Sequence, residues 1–326
     1  MNVPPTDSIR VPSEALQTLV AALLERAGVG ETDRALLAML LVRNDLRGVF
    51  SHGSRQVATY ARDIRDGKLN PRPTVAVVSE SPATLVLDGD GGLGYFASYR
   101  AAQQLIAKTR EIGISVAVTR NHGHFGAAGI YSRIAVAANF FGYVTSGHQL
   151  QLAADQSIMR AAGGSPHSFG VPAGTMPPLI LDFGAVHDVG DGAPHAKEIY
   201  DLAPGLVFRH LGLGAVCQSI GGFLGGVPVD EGRANRRFSG ANQGSFMIFV
   251  DINRLMPVGE FQREMDDYIR RISEMRPLPG YDEALLPGAI EAQREQSWAV
   301  EGVPVGPNHR KALSDVAREL DVTTPW

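Results

Sequence analysis

The spacing of apolar residues changes near residue 74, and this change most restricts what the chain can fold into. Before it, apolar residues in the stretch 16–24 recur three and four positions apart, which predicts an amphipathic helix. After it, short β-branched runs at 74–78 and 83–87 are followed by a helical stretch over 95–112. Helix and strand in alternation are typical of an α/β sheet. The sequence therefore predicts a helical N-terminal part followed by an α/β core.

The later half of the chain continues this alternation. Strands are predicted at 114–118, 141–145, 179–181 and 246–250, and helices at 127–138, 211–224, 261–275 and 311–320. The helix at 211–224 is apolar nearly all round, so we expect it to be buried. We expect a helical domain over 1–73, joined by C-terminal helices from about 260 to 326, and an α/β core over 74–259.

Composition and charge exclude several classes of protein and partner. The chain has 326 residues and a formal net charge of -4, without a block of basic residues, so nucleic acid is not an expected partner. Its single cysteine, Cys217, excludes an internal disulfide framework, and its apolar neighbours predict a buried, inert thiol. The N-terminus lacks a signal-peptide pattern, and the apolar run at 213–227 is too short and Gly-rich to span a bilayer. We therefore expect a cytoplasmic protein that does not bind membranes.

The segment Ser51-His52-Gly53 is the first candidate for chemistry. It follows a predicted helix that ends near Gly48, and Arg55 lies close behind it. A histidine here can exchange a proton at neutral pH, with the serine hydroxyl orienting the imidazole. An arginine nearby can bind a carboxylate with its planar fork. The alternative is a histidine that only contacts the terminal carbonyl groups of the helix.

A glycine-rich loop, Gly89–Gly94, matches the pattern G-x-G-x-x-G between a predicted strand and a helix. That context fits a phosphate-binding loop. However, Asp88 and Asp90 place negative charge where a pyrophosphate would lie, and the next predicted strand ends without the acid that holds a ribose hydroxyl. A tight turn is therefore the favoured interpretation.

A second polar segment, Asn121–Gly129, follows a predicted strand and opens a helix, which is where open α/β folds bind ligands. His122 and His124 could form part of a metal site, but no third ligand with convincing spacing accompanies them. We therefore expect no metal. A Gly-x-Ser-x-Gly elbow is missing from the sequence, which leaves a hydrolase triad without support.

Four segments together resemble one family. They are Asp45-Leu46-Arg47-Gly48 with Ser51-His52-Gly53, Tyr60 with Gly67 and Asn70-Pro71, Asp88 to Gly94, and Asn121 with His124 to Gly129. In this combination the chain is similar to the malate/L-lactate dehydrogenase family, which includes sulfolactate, ureidoglycolate and 2,3-diketogulonate oxidoreductases. The resemblance implies a non-Rossmann α/β core with a helical domain built from both termini. It also implies a homodimer that passes hydride between NAD or NADP and a 2-oxo acid or imine.

The resemblance also assigns residues to roles. His52 matches the family's proton donor and Ser51 its hydrogen-bonded neighbour, and Asp182 matches an aspartate of the same relay. Around the substrate, Gln56 stands at the position of the carboxylate-binding arginine, with Arg55 one residue earlier. The positions implied to contact the cofactor are His124, Gly126, Ser165, Pro166 and Arg209.

Several of these positions depart from the family pattern. Gly164-Ser165-Pro166 replaces G-T-N-P, and Phe208-Arg209-His210 replaces Tyr-Lys-Gly. Gly184-Ala185-Val186 and Leu286-Pro287-Gly288-Ala289 replace A-T-S and Leu-Pro-Gly-Glu. We therefore expect a divergent oxidoreductase of small 2-hydroxy or 2-oxo acids, with Arg209 in place of the lysine. Two alternatives remain open: an acid/base enzyme (a lyase, isomerase or decarboxylase) that has lost the cofactor, and a non-catalytic dimer.

Overall fold

The computed structural model describes residues 3–326, which group into two compact units. The first unit combines the chain up to Pro73 with Gly288–Trp326, and the second spans Thr74–Pro287. The first is mostly helical and is built from both ends of the chain, whereas the second contains a mixed sheet with helices. The predicted fold class is therefore confirmed. That each unit is an independent domain stays a prediction.

The elements follow the predicted alternation closely. The helices are α1 Ser13–Arg26, α2 Glu31–Leu46, α3 Val57–Arg65, α4 Gly94–Ile112, α5 Gly129–Ala137, α6 Ala196–Leu202, α7 Pro204–Cys217, α8 Val258–Ser273, α9 Ala289–Glu301 and α10 Pro307–Glu319. The strands are β1 Ile9–Val11, β2 Ala76–Glu80, β3 Thr84–Asp88, β4 Ile114–His122, β5 Phe140–His148, β6 Pro166–Val171, β7 Leu179–Gly184, β8 Gln243–Asp251 and β9 Val303–Val305.

The first unit is closed by contacts between distant parts of the sequence. The predicted stripe of α1 is buried as a whole, from Leu16 to Leu24. Strand β1 pairs antiparallel with β9, so that Ile9 lies opposite Val305. On the other side, the guanidinium of Arg62 on α3 bonds both carboxylate oxygens of Glu319 on α10. The unit therefore needs both ends of the chain to be complete.

The second unit is built on a seven-stranded sheet with the order β2-β3-β4-β8-β5-β6-β7. Among the described strands, β3 and β4 form the one parallel pair, and α4 connects them. All other neighbours in this sheet are antiparallel. A doubly wound nucleotide-binding sheet would be mostly parallel. The non-Rossmann core expected from the family resemblance is thus what the chain forms.

Helix α8 lies in the second unit, although we expected the C-terminal helices from about residue 260 to join the helical domain. The reason is Asp266. Its carboxylate accepts hydrogen bonds from the backbone amides of Gly174, Thr175 and Met176 and from the Thr175 hydroxyl. These bonds fasten α8 to the β6–β7 loop, so the helical unit resumes only at Gly288.

Helix α7 also differs from its prediction. The stretch 211–224 was expected to be buried, yet Val216 is 51% exposed and Leu224 60% exposed. Leu211, Gly214 and Cys217 form the buried face. Because the sequence is apolar on every face, hydropathy could not tell which face meets the core.

Within residues 3–326, no helix combines the length and apolar character needed to cross a bilayer.

Candidate active site

The Ser51-His52-Gly53 segment forms a tight turn after α2. Phe50–His52 and Ser54–Gln56 are two short 3₁₀ turns, and α3 follows at once. The Ser51 hydroxyl lies 3.0 Å from His52 Nδ1, within hydrogen-bond distance. Burial lowers the pKa of the His52 imidazole below its usual value. A neutral imidazole oriented by a hydroxyl can exchange a proton through its other nitrogen.

Backbone carbonyls of this turn are held from both sides. The Asn44 side-chain amide donates to the His52 carbonyl at 2.9 Å, and the Gln56 side-chain amide donates to the Ser51 carbonyl at 2.6 Å. Gln56, expected at the substrate, is therefore engaged in holding the turn. Arg55 is exposed, so its guanidinium remains the cationic group of this segment that faces solvent.

The glycine-rich loop packs against the end of β4. A Cβ added at Gly89 would lie 2.7 Å from the Cβ of His122, and one added at Gly94 would lie 2.5 Å from His122 Nδ1. At Gly91, with φ of +75°, an added Cβ would lie 2.2 Å from the ring of Phe238. Packing thus accounts for these glycines, which supports the tight turn over a phosphate-binding loop.

A chain of buried hydroxyl groups leads to His122. Because the Gly123 carbonyl can only accept, His122 Nδ1 donates to it, at 2.7 Å, and Nε2 accepts from the Thr119 hydroxyl at 2.8 Å. Thr119 in turn lies 2.6 Å from the Ser245 hydroxyl, which lies 3.0 Å from that of Ser98. Burial lowers the pKa of His122 to about 4, so the neutral form required by this chain persists at neutral pH. His122 is therefore a structural residue that fixes the peptide before His124.

His124 begins the turn that leads into α5. Its ring meets Tyr95 edge to face, with the ring centroids 6.4 Å apart. Gly126 has φ of +84°, and an added Cβ there would lie 2.4 Å from the Tyr95 ring. The Asp182 carboxylate accepts a hydrogen bond from the Gly129 amide, at 3.0 Å. The structure thus joins Asp182 to the segment that carries His124 and Gly126.

Ser165 and Pro166 lie at the start of β6. Ser165 is buried with φ of +43°, and its hydroxyl accepts from the Val186 amide at 3.2 Å. Just before it, Gly163 and Gly164 line a cavity of about 740 Å³. The other polar groups of this cavity come from His148, Gln149, Gln151, Gln156, Arg160, His187 and Asp191. The peptide groups, the imidazoles and the Arg160 guanidinium can bind a polar ligand that carries negative charge, whereas Asp191 adds a negative charge of the protein's own.

Arg209 is less specifically placed than the other predicted cofactor contacts. It lies on the exposed side of α7, and its Nε donates to the Gly205 carbonyl one turn earlier. At the end of the same helix, the thiol of Cys217 is buried, as predicted, and lies 3.0 Å from His167 Nε2. Burial raises the pKa of this thiol to about 11, which keeps it protonated and unreactive at neutral pH.

Sequence reasoning missed the buried polar residues that hold the Ser51-His52-Gly53 turn in place, namely Asn44, Ser54 and His309. It also did not predict that Asp45 is buried. One signal was available. Leu37, Leu41 and Asp45 follow one another at four-residue spacing, which places the aspartate on the buried face of α2. Within the described part of the chain, no three His, Cys, Asp or Glu side chains are arranged to hold a metal ion.

Comparison with known proteins gives a consistent result. A sequence model of the family described as malate/L-lactate dehydrogenase matches residues 11–187 and 202–314. Malate dehydrogenase of Pyrococcus horikoshii is 26% identical over 96% of each chain. L-Sulfolactate dehydrogenase of Methanocaldococcus jannaschii is 28% identical, over 93% of this chain and 94% of the relative. Ureidoglycolate dehydrogenase (NAD⁺) of Escherichia coli is 23% identical, over 91% and 93%.

Solved structures agree. The malate dehydrogenase of Pyrococcus horikoshii superposes with a TM-score of 0.86 at 25% identity, and the match covers 99% of both chains. The sulfolactate dehydrogenase of Methanocaldococcus jannaschii superposes with a TM-score of 0.78 at 24% identity, over 97% of this chain and 98% of the other. With 99% of this chain covered, the likeness extends over both units.

Proposed function

This chain belongs to the malate/L-lactate dehydrogenase family, and we propose that it is an oxidoreductase that passes a hydride between NAD or NADP and a small 2-hydroxy or 2-oxo acid. Its relatives include dehydrogenases of malate, sulfolactate and ureidoglycolate, all of them small hydroxy acids. They favour the redox hypothesis over an acid/base enzyme that has lost its cofactor, because each of these relatives is named a dehydrogenase.

The observation that carries the proposal is the Ser51–His52 pair. When His52 Nδ1–H donates to the Ser51 hydroxyl, Nε2 of the neutral imidazole carries the lone pair and can accept the proton of the substrate hydroxyl. In the reverse direction, the imidazolium gives this proton from Nε2 to the substrate carbonyl oxygen and returns to the neutral form. The lowered pKa of His52 favours this neutral form at pH 7. We assign proton transfer to His52, its orientation to Ser51, and a role in the same relay to Asp182.

Arg55 and Gln56, the two residues implied by the family resemblance to lie at the substrate, receive different roles in the proposal. Because Gln56 holds the Ser51 carbonyl, we expect the exposed guanidinium of Arg55 to bind the substrate carboxylate. Gln56 then affects substrate binding indirectly, because its side chain keeps the Ser51-His52-Gly53 turn in place.

The nicotinamide cofactor supplies the hydride when it is bound. We propose that His124, Gly126, Ser165 and Pro166 hold it; the supporting observation is the cavity of about 740 Å³ lined by Gly163 and Gly164, which directly precede Ser165 in the chain. The exposed Arg209 would supply a positive charge in place of the family's lysine. These residues fit a polar, anionic nucleotide in chemical character.

A homodimer is part of the proposal. Large apolar side chains lie on the surface of α6, α7 and the π-helical turn Gln218–Phe223 that follows, among them Leu202, Phe208 and Phe223. Exposed apolar patches of this kind are typical of subunit interfaces. A molar mass of twice 34.8 kDa in light scattering would support it, and a monomer at micromolar concentration would contradict it. A cytoplasmic location likewise remains a prediction.

Two measurements test the function. Fluorescence titration with NADH and NADPH should give saturable binding of at least one of them, and no saturation by about 1 mM would refute the redox proposal. Turnover of malate, lactate and sulfolactate should fall about 10²–10⁴-fold in His52→Ala, with cofactor binding retained.

The role of Arg209 is tested separately. We expect Arg209→Ala to weaken nucleotide binding about tenfold, and Lys197→Ala, an exposed change on α6, is the control.

A further inference from the structure

A buried carboxyl group lies directly beneath the Ser51-His52-Gly53 turn. Asp45, in the last turn of α2, has no solvent exposure, and its Oδ2 accepts a hydrogen bond from the Ser54 amide at 2.8 Å. Its other oxygen, Oδ1, is buried without a hydrogen-bond partner among the described residues. A Cβ added at Gly53 would lie only 1.7 Å from this Oδ1. With Asp45 in place, only glycine fits at position 53.

The same turn is held at a second point. The Ser54 hydroxyl lies 2.8 Å from His309 Nε2 on α10, and both side chains are buried. On the other side of Gly53, Asn44 donates to the His52 carbonyl. Two consecutive residues of α2, Asn44 and Asp45, therefore form hydrogen bonds with the peptide groups on both sides of Gly53. These two hydrogen bonds fix the direction in which the backbone leaves His52.

The electrostatic state of the cluster is consistent with such a support. Burial raises the pKa of the Asp45 carboxyl to about 7, although hydrogen bonds from Ser54 act in the opposite direction. Burial, and then the positive charge of Arg55, lower the pKa of His309 to about 4. Asp45 has no solvent exposure and His309 is only 7% exposed, so their hydrogen bonds within the cluster are costly to break. A support of this kind is rigid.

We propose that Asp45 is a positioning residue for His52: by holding the Ser54 amide and excluding any side chain at position 53, it sets the orientation of the His52 imidazole. The inference rests on the proposed function of His52, which it deepens. Asp45 itself touches no substrate. Its effect is on geometry, and a displacement of about 1 Å at a reacting group can cost on the order of 10²-fold in rate.

The test combines kinetics with a measurement that needs no catalysis. In Asp45→Ala we expect kcat to fall about 10–100-fold with KM changed less than about threefold, whereas Asp45→Asn, which keeps an oxygen for the Ser54 amide, should stay within about threefold of the wild type. In ¹⁵N-histidine-labelled protein, the NMR titration of His52 should move upward toward its ordinary pKa in Asp45→Ala and stay lowered in Asp45→Asn.

Asp33→Ala is the matched control, since Asp33 is also a buried aspartate of α2 but lies in its first turn. It should leave the His52 titration unchanged. If Asp45→Ala does not fold, Ser54→Ala gives the second test, with a smaller shift in the same direction. A His52 titration that is unchanged in Asp45→Ala or in its substitute, or an equal loss of kcat in Asp45→Ala and Asp45→Asn, would overturn the inference. If instead His52→Ala keeps full turnover while the Asp45→Ala titration shifts, the proposed function fails and the positioning role stands.

Discussion

Two buried carboxyl groups hold loops in this molecule, and they do so in opposite ways. Asp266, in the second unit, has both oxygens engaged by four donors of the β6–β7 loop. Asp45, in the first unit, has one oxygen bonded to the Ser54 amide and one without a hydrogen-bond partner within residues 3–326. Burial alone would raise the pKa of both, but the amide and hydroxyl donors around Asp266 lower its pKa to about 2, whereas that of Asp45 rises to about 7.

The comparison shows that donors and burial act together on the charge of a carboxyl group: Asp266 has four donors and is 9% exposed, whereas Asp45 is bonded only to Ser54 and has no solvent exposure. Asp266 is a fully satisfied carboxylate that fastens one helix to one loop. Asp45 favours its uncharged form, and it lies beneath the turn to which we assign proton transfer. Each also packs against a glycine, Gly174 and Gly53 respectively, which allows matched substitutions.

The largest expected effect is the pH dependence of stability. Asp45 has a folded-state pKa above its unfolded value, so its favourable contribution is present below pH 4 and is lost as the pH rises to about 7. The free energy of unfolding should fall by about 1.4 kcal/mol per pH unit in this window, or about 4 kcal/mol in all, relative to Asp45→Asn. Urea unfolding at pH 4 to 8 measures this. Equal slopes in the two proteins would contradict it.

Asp266 should show the reverse behaviour at lower pH. Its pKa is lowered, so its contribution is present above pH 4 and is lost as the pH falls toward 2. Comparing the wild type with Asp266→Asn between pH 2 and 5 separates the two carboxyl groups.

The next effect is that of Gly53→Ala. Its methyl group would overlap Asp45 Oδ1, so the turn or the aspartate must move. We expect a loss of about 3 kcal/mol in the free energy of unfolding and turnover near background, because His52 is the adjacent residue. The double variant Gly53→Ala with Asp45→Ala should recover part of the stability, and no recovery would show that the overlap is not the cause.

Removing the engaged carboxylate comes third. Asp266→Ala leaves three backbone amides without their acceptor, and we expect it to lower the free energy of unfolding by about 2 kcal/mol at pH 7. The hydrogen bonds of Asp266 go to Gly174, Thr175 and Met176, none of which is a proposed site residue, so kcat should stay near the wild-type value. A large loss of kcat in a folded variant would contradict a purely structural role.

Gly174→Ala should have the smallest effect. Here an added Cβ would lie 2.7 Å from Asp266 Oδ2, a milder overlap than the 1.7 Å at Gly53. We expect about 1 kcal/mol of destabilisation. If this change proves as damaging as Gly53→Ala, the two glycine contacts do not differ as the distances indicate.

The sequence predicted the regular parts of this fold because their signals are local. The strands at 83–87 and 114–118 and the helix at 95–112 contain runs or stripes of apolar residues within a few positions of each other. Strand β6 was missed, since Pro166-His167-Ser168 offers no apolar run, although His167 and Ser168 are buried in the sheet. The exposed face of α7 was missed for the opposite reason, an excess of apolar residues.

At the candidate site, only contacts between residues of one short motif could be predicted from the sequence. Ser51 and His52 are neighbours in the sequence, so their hydrogen bond could be expected. The pairing of Ser54 with His309 could not, because the two residues are 255 positions apart and neither lies in a distinctive pattern. Likewise, a hydroxyl chain from Ser98 to His122 depends on strands β4 and β8 being adjacent, which a single sequence does not reveal.

That distance of 255 residues also has a consequence for how the protein is made. Ribosomes add about 5–20 residues per second, so His309 leaves the peptidyl-transferase centre on the order of ten to fifty seconds after Ser54. During translation the nascent Ser51-His52 turn thus waits without its partner on α10, while the whole second unit is synthesised in between. The part of the chain assigned to proton transfer is therefore completed only by a segment that is made after the second unit.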